Sequence, residues 1–443
     1  MILVGNGRLI TRDDANSIIE DGCLAIQDNL IVETGTTDDL KTKYPQARLI
    51  DAAQKMIMPG LINTHMHFYS TFARGMASKS DPPTNFLEIL ERLWWKLDKT
   101  LTLEDVYYSA LIPIVDCIKT GTTTIFDHHA SPNVVHGSLF KIAEATLKAG
   151  VRSCLCYEVS DRDGKATADN GIQENIDFIN FCNQESNPLL KGMFGLHASL
   201  TLSDQTLEKC VAKNSGTGVG FHVHAAEGIQ DRLDAEKKYG MGVVERLYER
   251  QILGEKSIAV HCVHISKKEI GILKDSKTNV VHNPESNMGN AVGVSPVLEM
   301  AHQGVTIGLG TDGYTSDMFE SFKAANCLHK HAHQHPSVAW GEIPQMLFEN
   351  NRKIAAHYFE KPLGQLVPGA YADVIVVDYD PPTRLEPENV NSHILFGISG
   401  RSVETTIING RVVMENRKLT TLDEQEICVK SRELADKVWQ RIE

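Results

Sequence analysis

Between residues 56 and 362 the chain alternates short apolar runs with longer amphipathic stretches. The short runs include "TTTIFDHH", "RSCLCYEV", "GMFGLHAS", "GVGFHVHAAE", "SIAVHCVH", "TNVVHNPES" and "VTIGLGTDG". Their length and aliphatic, β-branched content predict buried strands. Stretches between them, such as "LEDVYYSALIPIVDCIKTG" and "HGSLFKIAEATLKAG", place apolar residues three and four apart and predict helices. Strands alternating with helices make repeated βα units and a parallel sheet. With a further strand expected at 56–67, the count reaches eight, the number that closes a (β/α)8 barrel.

The two ends read differently. Residues 1–55 hold short β-like pieces ("MILVGNGRLIT", "GCLAIQDNLIVETG", "ARLIDAAQKMIMPG") with little helical periodicity. Residues 363–443 contain "ADVIVVDYD" and "VETTIINGRVVMEN", the second with an Asn409-Gly410 hairpin turn, and finish in a helix. The expected architecture is therefore a TIM-like barrel over 56–362. A small β-sandwich domain is assembled from 1–55 and 363–443.

Chemically capable side chains gather where the barrel strands end: His65/His67, His128/His129, Glu158, His197, His224, His261, His282 and Asp312. In a barrel these ends converge on one mouth, whereas an open doubly wound sheet gathers only those near its switch point. Strand side chains alternate faces, so His65 and His67 point the same way. Such a pair suits a divalent metal or a pair of satisfied hydrogen bonds. Asp312 in "GTDG" reads as a ligand or as a turn residue. Glu227, three residues past His224, reads as a proton carrier or as a solvated group at the next helix. The four histidines of "HKHAHQH" (329–335) lie in a helical stretch and read as mostly solvated.

Composition narrows the classes. A net charge of −13 argues against nucleic-acid binding. No apolar run approaches the ~20 residues that span a bilayer, and the N-terminus lacks the features of a signal peptide. Nine scattered cysteines without a CxxC pattern fit a reduced, cytoplasmic protein.

Five motifs in order, "PGLINTHMHF", "HVHAAEG", "AVHCVH", "VVHNPESNMGN" and "GLGTDG", resemble the amidohydrolase superfamily over nearly the whole chain. The likeness is to the branch with S-adenosylhomocysteine, guanine and cytosine deaminases and triazine chlorohydrolases; "DHHASP" and "WWKLD" look nearest to SsnA-type aminohydrolases. This resemblance implies His65, His67, His224 and Asp312 as metal ligands, with Asp312 also catalytic. It implies Glu227 as proton shuttle and His261 as the group that orients water, with a looser touch on the metal. His222 reads as a packed histidine behind the ligands and His264 as a structural one. No lysine stands at a strand end to bridge two ions, so one divalent metal is expected, zinc first and Fe(II) or Mn(II) as alternatives.

His197, His282, Asn283, His129, Arg162 and Trp94 are the expected substrate contacts. Arg162 reads either as a partner for a substrate carboxylate or as paired with Asp161 or Asp163. The implied reaction is hydrolytic deamination at an amidine carbon of a purine-, pyrimidine- or pterin-like heterocycle. Cyclic-amide hydrolysis, triazine dechlorination and a non-catalytic scaffold are the alternatives. A small heterocycle is the expected partner, with no nucleic acid and no membrane, in a homodimer.

Overall fold

The structure is a computed structural model that describes residues 1–77 and 81–442. Eight parallel strands carry the site: β1 (Leu61–Met66), β2 (Thr122–His129), β3 (Arg152–Tyr157), β4 (Phe194–Ala198), β5 (Phe221–Ala225), β6 (Ile258–His261), β7 (Asn279–His282) and β8 (Ile307–Leu309). All are fully buried, which explains their near-continuous apolar runs. Helices cover them, as at Leu103–Thr120. That helix begins in a Thr102/Asp105 capping box and stops at the left-handed Gly121.

The arrangement is a TIM-like barrel whose ladder is not closed. β1, β2, β3 and the short strand Leu190–Gly192 form one sheet, and β4 to β8 form another. Single bridges, Val159 to Leu196 and Met66 to Asp312, join the seams. At the first seam Gly195 lies against the Tyr157 backbone, where any side chain would collide. At the second, Asp312 turns into the left-handed region (φ +56°), and the amides of Thr311 and Asp312 both donate to the His65 carbonyl, each at 3.0 Å.

The termini meet in one nine-stranded sheet. The strand expected at 56–67 is two strands broken at Gly60, where a Cβ would strike Thr123. Met56–Pro59 pairs with residues 8–9 and with Val374–Val377 inside the terminal sheet, and only Leu61–Met66 enters the barrel. The Asn409-Gly410 turn forms as expected, with φ of +52° and +75° between antiparallel strands. Pairing alone defines a single sheet and not the two layers of a sandwich. The C-terminal helix Glu424–Ile442 lies along Leu103–Thr120, and its Trp439 indole donates to the Phe72 carbonyl at 2.7 Å.

One ion pair ties sheet to barrel. Arg152 on β3 donates from Nε and Nη2 to the two oxygens of Asp373, both at 3.0 Å, with its guanidinium 4.1 Å from the Tyr371 ring centre. No described helix is long and apolar enough to cross a membrane. The "HKHAHQH" reading needs one correction: His331, His333 and His335 are exposed, but His329 is fully buried and bonded to His282 at 3.1 Å. Helical winding turns only that one inward.

Candidate active site

At the C-terminal mouth, β1 delivers His65 and His67, β5 delivers His224, β6 His261, and the turn after β8 Asp312. His67 Nε2 lies 3.2 Å from both His224 Nε2 and Asp312 Oδ1. Asp312 Oδ1 is 3.8 Å from His65 Nε2, and Asp312 Oδ2 is 3.6 Å from His261 Nε2. Donors 2.0–2.1 Å from a tetrahedral zinc ion sit roughly 3.3 Å apart, so these spacings are those of a ligand shell. Ligand atoms of His65, His224 and His261, and those of His65, His67 and Asp312, lie within 4.8 Å of one another.

The far side of each ring is already engaged. His65 Nδ1 meets His222 Nε2 at 2.9 Å, His67 Nδ1 the His128 carbonyl at 2.5 Å, and His224 Nδ1 the His197 carbonyl at 2.9 Å. His261 Nδ1 meets Asn287 Oδ1 at 2.8 Å. A ring that donates from Nδ1 presents an Nε2 lone pair inward, as a metal ligand must. The Nε2 atoms of His65 and His261 are buried and have no hydrogen-bond partner. Orphaned inward-facing nitrogens beside a carboxylate are what a divalent cation satisfies, so the residues fit the group.

Electrostatics agree. Burial, then the neighbouring imidazoles, push His65 and His224 well below the usual histidine value and keep them neutral. Burial opposes charge on Asp312 too, but hydrogen bonds from His67 and Ser286 and the facing imidazoles win, and the carboxyl lies well below its usual range. His67 is pushed up to about 9, because Asp312 and Glu158 outweigh its burial. A cation would take the place of that proton against the same acceptors.

Glu227 sits 3.4 Å from His261 Nε2, with its ligand atom in one group with those of His261 and Asp312. Burial first, then the Asp312 charge, raises its pKa well above 4.5. Several of these positions hold left-handed backbone in non-glycine residues: Ala226 (φ +48°), His261 (+71°) and Asp312 (+56°). Such strain persists only where surroundings enforce it, and it collects at working sites.

A cleft of about 830 Å³, open solvent at its mouth included, lies over the cluster. His67, His224, Glu227 and Asp312 form its polar floor, and Phe86, Leu87, Leu90, Trp94 and Trp95 an apolar wall. Of the expected substrate contacts, His197 and Trp94 line it; His282, Asn283, His129 and Arg162 are not among the described lining residues. His282 faces His329, and His129 bonds Ser131 at 2.9 Å. Asn283 is wholly buried. Arg162 pairs closely with buried Asp98 and lies 3.3 Å from Asp163. His264 bonds the Val292 carbonyl at 2.8 Å. Sequence reasoning missed Tyr69, Asp98, Asn290 and Tyr314 on the cavity wall. They come from loops and helix faces, where no periodicity marks them. Glu158, a strand-end residue, faces His128 Nδ1 at 3.1 Å and lines the cavity.

A barrel mouth that gathers a metal-ligand shell beside the buried Glu227 carboxylate defines a metal-dependent hydrolase. Residues 56–413 match the model described as the amidohydrolase family, and the chain belongs to that family. Residues 22–47 match an imidazolonepropionase-like composite domain of bacteria. A 5'-deoxyadenosine deaminase of Methanosarcina mazei is 31% identical over 446 residues, covering 100% of this chain and 99% of the relative. A 5-methylthioadenosine/S-adenosylhomocysteine deaminase of Syntrophomonas wolfei is 32% identical and covers 99% of each chain. An adenosine deaminase from Xanthomonas campestris, solved with bound zinc, shares the fold with a TM-score of 0.88, 21% identity and coverage of 99% and 98%. The chain is thus an enzyme that hydrolyses carbon–nitrogen bonds other than peptide bonds.

Proposed function

We propose that this enzyme is a metal-dependent aminohydrolase that exchanges the amino group on an amidine carbon of a purine-type heterocycle for oxygen, releasing ammonia. Adenine nucleosides are the favoured substrates, because full-length relatives named for them exceed 30% identity. The observation that carries the reading is Glu227: a buried carboxylate with no lysine or arginine partner among the described residues, in the cavity floor beside the histidine cluster.

His65, His67, His224 and Asp312 would hold the ion, with His261 at its edge; zinc suits this donor set, and Fe(II) or Mn(II) also fit. When bound, such an ion supplies Lewis acidity that brings the pKa of water toward 7. Glu227 accepts a proton from the attacking water and returns it to the departing nitrogen. His261, its Nδ1 fixed by Asn287, keeps Nε2 aimed at Glu227 and Asp312 and orients the attack. Asp312 serves both as ligand and as the second proton acceptor. Trp94 with its apolar neighbours covers one face of the heterocycle, and His197 with Glu158 meets its polar edge. Arg162 is held by Asp98 and Asp163, which favours the paired alternative over direct carboxylate binding.

The same reading includes a division into a 56–362 barrel and a terminal domain, crossed by Met56–Pro59. Apolar side chains from seven of the terminal strands share one core (Val4, Leu24, Ile31, Val374 and Ile407 among them), which supports a sandwich-like fold-over of that sheet. Nine free cysteines, seven of them buried, support a reducing, cytoplasmic setting. The exposed pair Trp340 and Phe396, with ring centres 6.1 Å apart, supports a homodimer contact.

Ammonia release by the zinc-loaded enzyme should be measured over adenosine, 5'-deoxyadenosine, methylthioadenosine, guanine, cytosine, a pterin and a chlorotriazine. Release from an adenine nucleoside at the highest kcat/KM is expected. Chloride release from the triazine without ammonia from any heterocycle would overturn the proposal.

A further inference from the structure

The short helix Pro284–Gly289 after β7, with Asn290 at its end, reaches three of the groups that handle protons. Ser286 Oγ donates to Asp312 Oδ2 at 2.6 Å, and Asn287 Oδ1 fixes His261. Asn290 completes the set. Its Nδ2 lies 3.4 Å from Glu227 Oε1 and 3.2 Å from Ser286 Oγ, while its Oδ1 accepts from the Tyr314 hydroxyl at 3.3 Å. The amide orientation follows from chemistry. Turned the other way, Oδ1 would face Ser286 Oγ, whose proton already goes to Asp312, two acceptors with no proton between them.

We propose that Asn290 is a positioning residue for the reaction: its amide anchors the Glu227 carboxylate over the site and is itself aligned by Tyr314 at the rim. The Glu227 and Asp312 carboxyl groups are buried together, their oxygens in one group with the His261 ring. Left to themselves, two carboxylates in one pocket swing apart. Asn290 reaches both, directly to Glu227 and through Ser286 to Asp312, so it fixes the gap in which water must sit.

An independent observation concerns Gly289. A methyl group there would run into the Tyr314 hydroxyl and ring. The φ of Gly289 is not in the left-handed region, so what glycine supplies there is room for the Tyr314 ring in its observed place. Residues 289, 290 and 314 therefore form one device. Gly289 makes room, Tyr314 (46% exposed, on the cavity wall) lies across the helix end, and Asn290 passes the constraint inward.

This inference rests on Glu227 as the proton carrier, and the experiment separates the two. In the zinc-loaded enzyme, with the best substrate of the panel, N290A should lower kcat by about 10- to 100-fold with KM nearly unchanged. Zinc content and Tm should stay at wild-type values. N290D, isosteric but lacking the donor, should lower kcat further at equal Tm. Y314F and G289A should each lower kcat, and neither should add to N290A, because they act through it. A kcat for N290A within twofold of wild type, or full additivity of Y314F with N290A, would overturn the assignment. If E227Q retains activity, the proton-carrier reading falls instead.

Discussion

The side chain on which the chemistry turns is Glu227. Burial and the Asp312 charge raise its pKa above the ordinary 4.5 of a glutamate. A base works only when deprotonated, so activity must fall as pH drops through that raised value. The acid limb of kcat/KM should thus lie above 4.5, and E227Q should lose about 10²- to 10⁴-fold in kcat while keeping its zinc. Loss of zinc along with activity would make Glu227 a ligand and not a proton carrier. Steady-state rates across pH, with metal analysis on the same samples, decide between them. His65 and His67 were readable in the chain because a period of two is simple to see. Asn290 was not, since its meaning depends on a helix end, a rim tyrosine and a glycine that only folding brings together. His282 misled for a related reason: its strand-end position is real, but its ring turns toward His329, away from the cavity.

Elements show the same limit. All eight barrel strands fall on the apolar runs, because fully buried strands need nothing more specific than aliphatic side chains. Where one strand stops and the next begins was less legible. The break at Gly60 rests on a contact with Thr123, and the seams on Gly195 and on the left-handed Asp312. In the segment Phe86–Thr100 the sequence singled out Trp94 as a substrate contact but not the apolar neighbours that complete the wall. The segment's packing puts Leu90, Trp94 and Trp95 on the cavity wall, the Trp94 ring 6.3 Å from that of Tyr69. An apolar wall binds ground state and transition state alike, so its loss should appear in KM. W94A should raise KM by about 10-fold, the order of 1.4 kcal/mol of binding, with kcat within a small factor. A large fall in kcat at constant KM would instead place Trp94 against the reacting carbon. Initial-rate kinetics over a range of substrate concentrations separates the two.

At the scale of the whole molecule, the terminal sheet has a contact with the barrel that the sequence left silent. Arg152 and Asp373 are 221 residues apart, and neither stands out in composition. In the fold both are almost fully buried, and the bidentate pair bridges β3 to the strand Val374–Val377 at the end of the barrel away from the mouth. Asp373 also accepts from the Asn409 amide at 2.7 Å, so one carboxylate joins three stretches of chain. Two charges held out of water gain from each other about what they lost in hydration. Removing one is different, because the survivor stays buried without a partner. D373A should therefore cost roughly 3–5 kcal/mol, read as a lower urea midpoint, while zinc content and KM in the folded enzyme hold. Replacing both partners with apolar residues of similar volume, R152M with D373L, should recover most of that loss, since no orphaned charge remains. If the double variant is no more stable than D373A, the pair matters through the shape and hydrogen bonds of Asp373, and its charge is incidental.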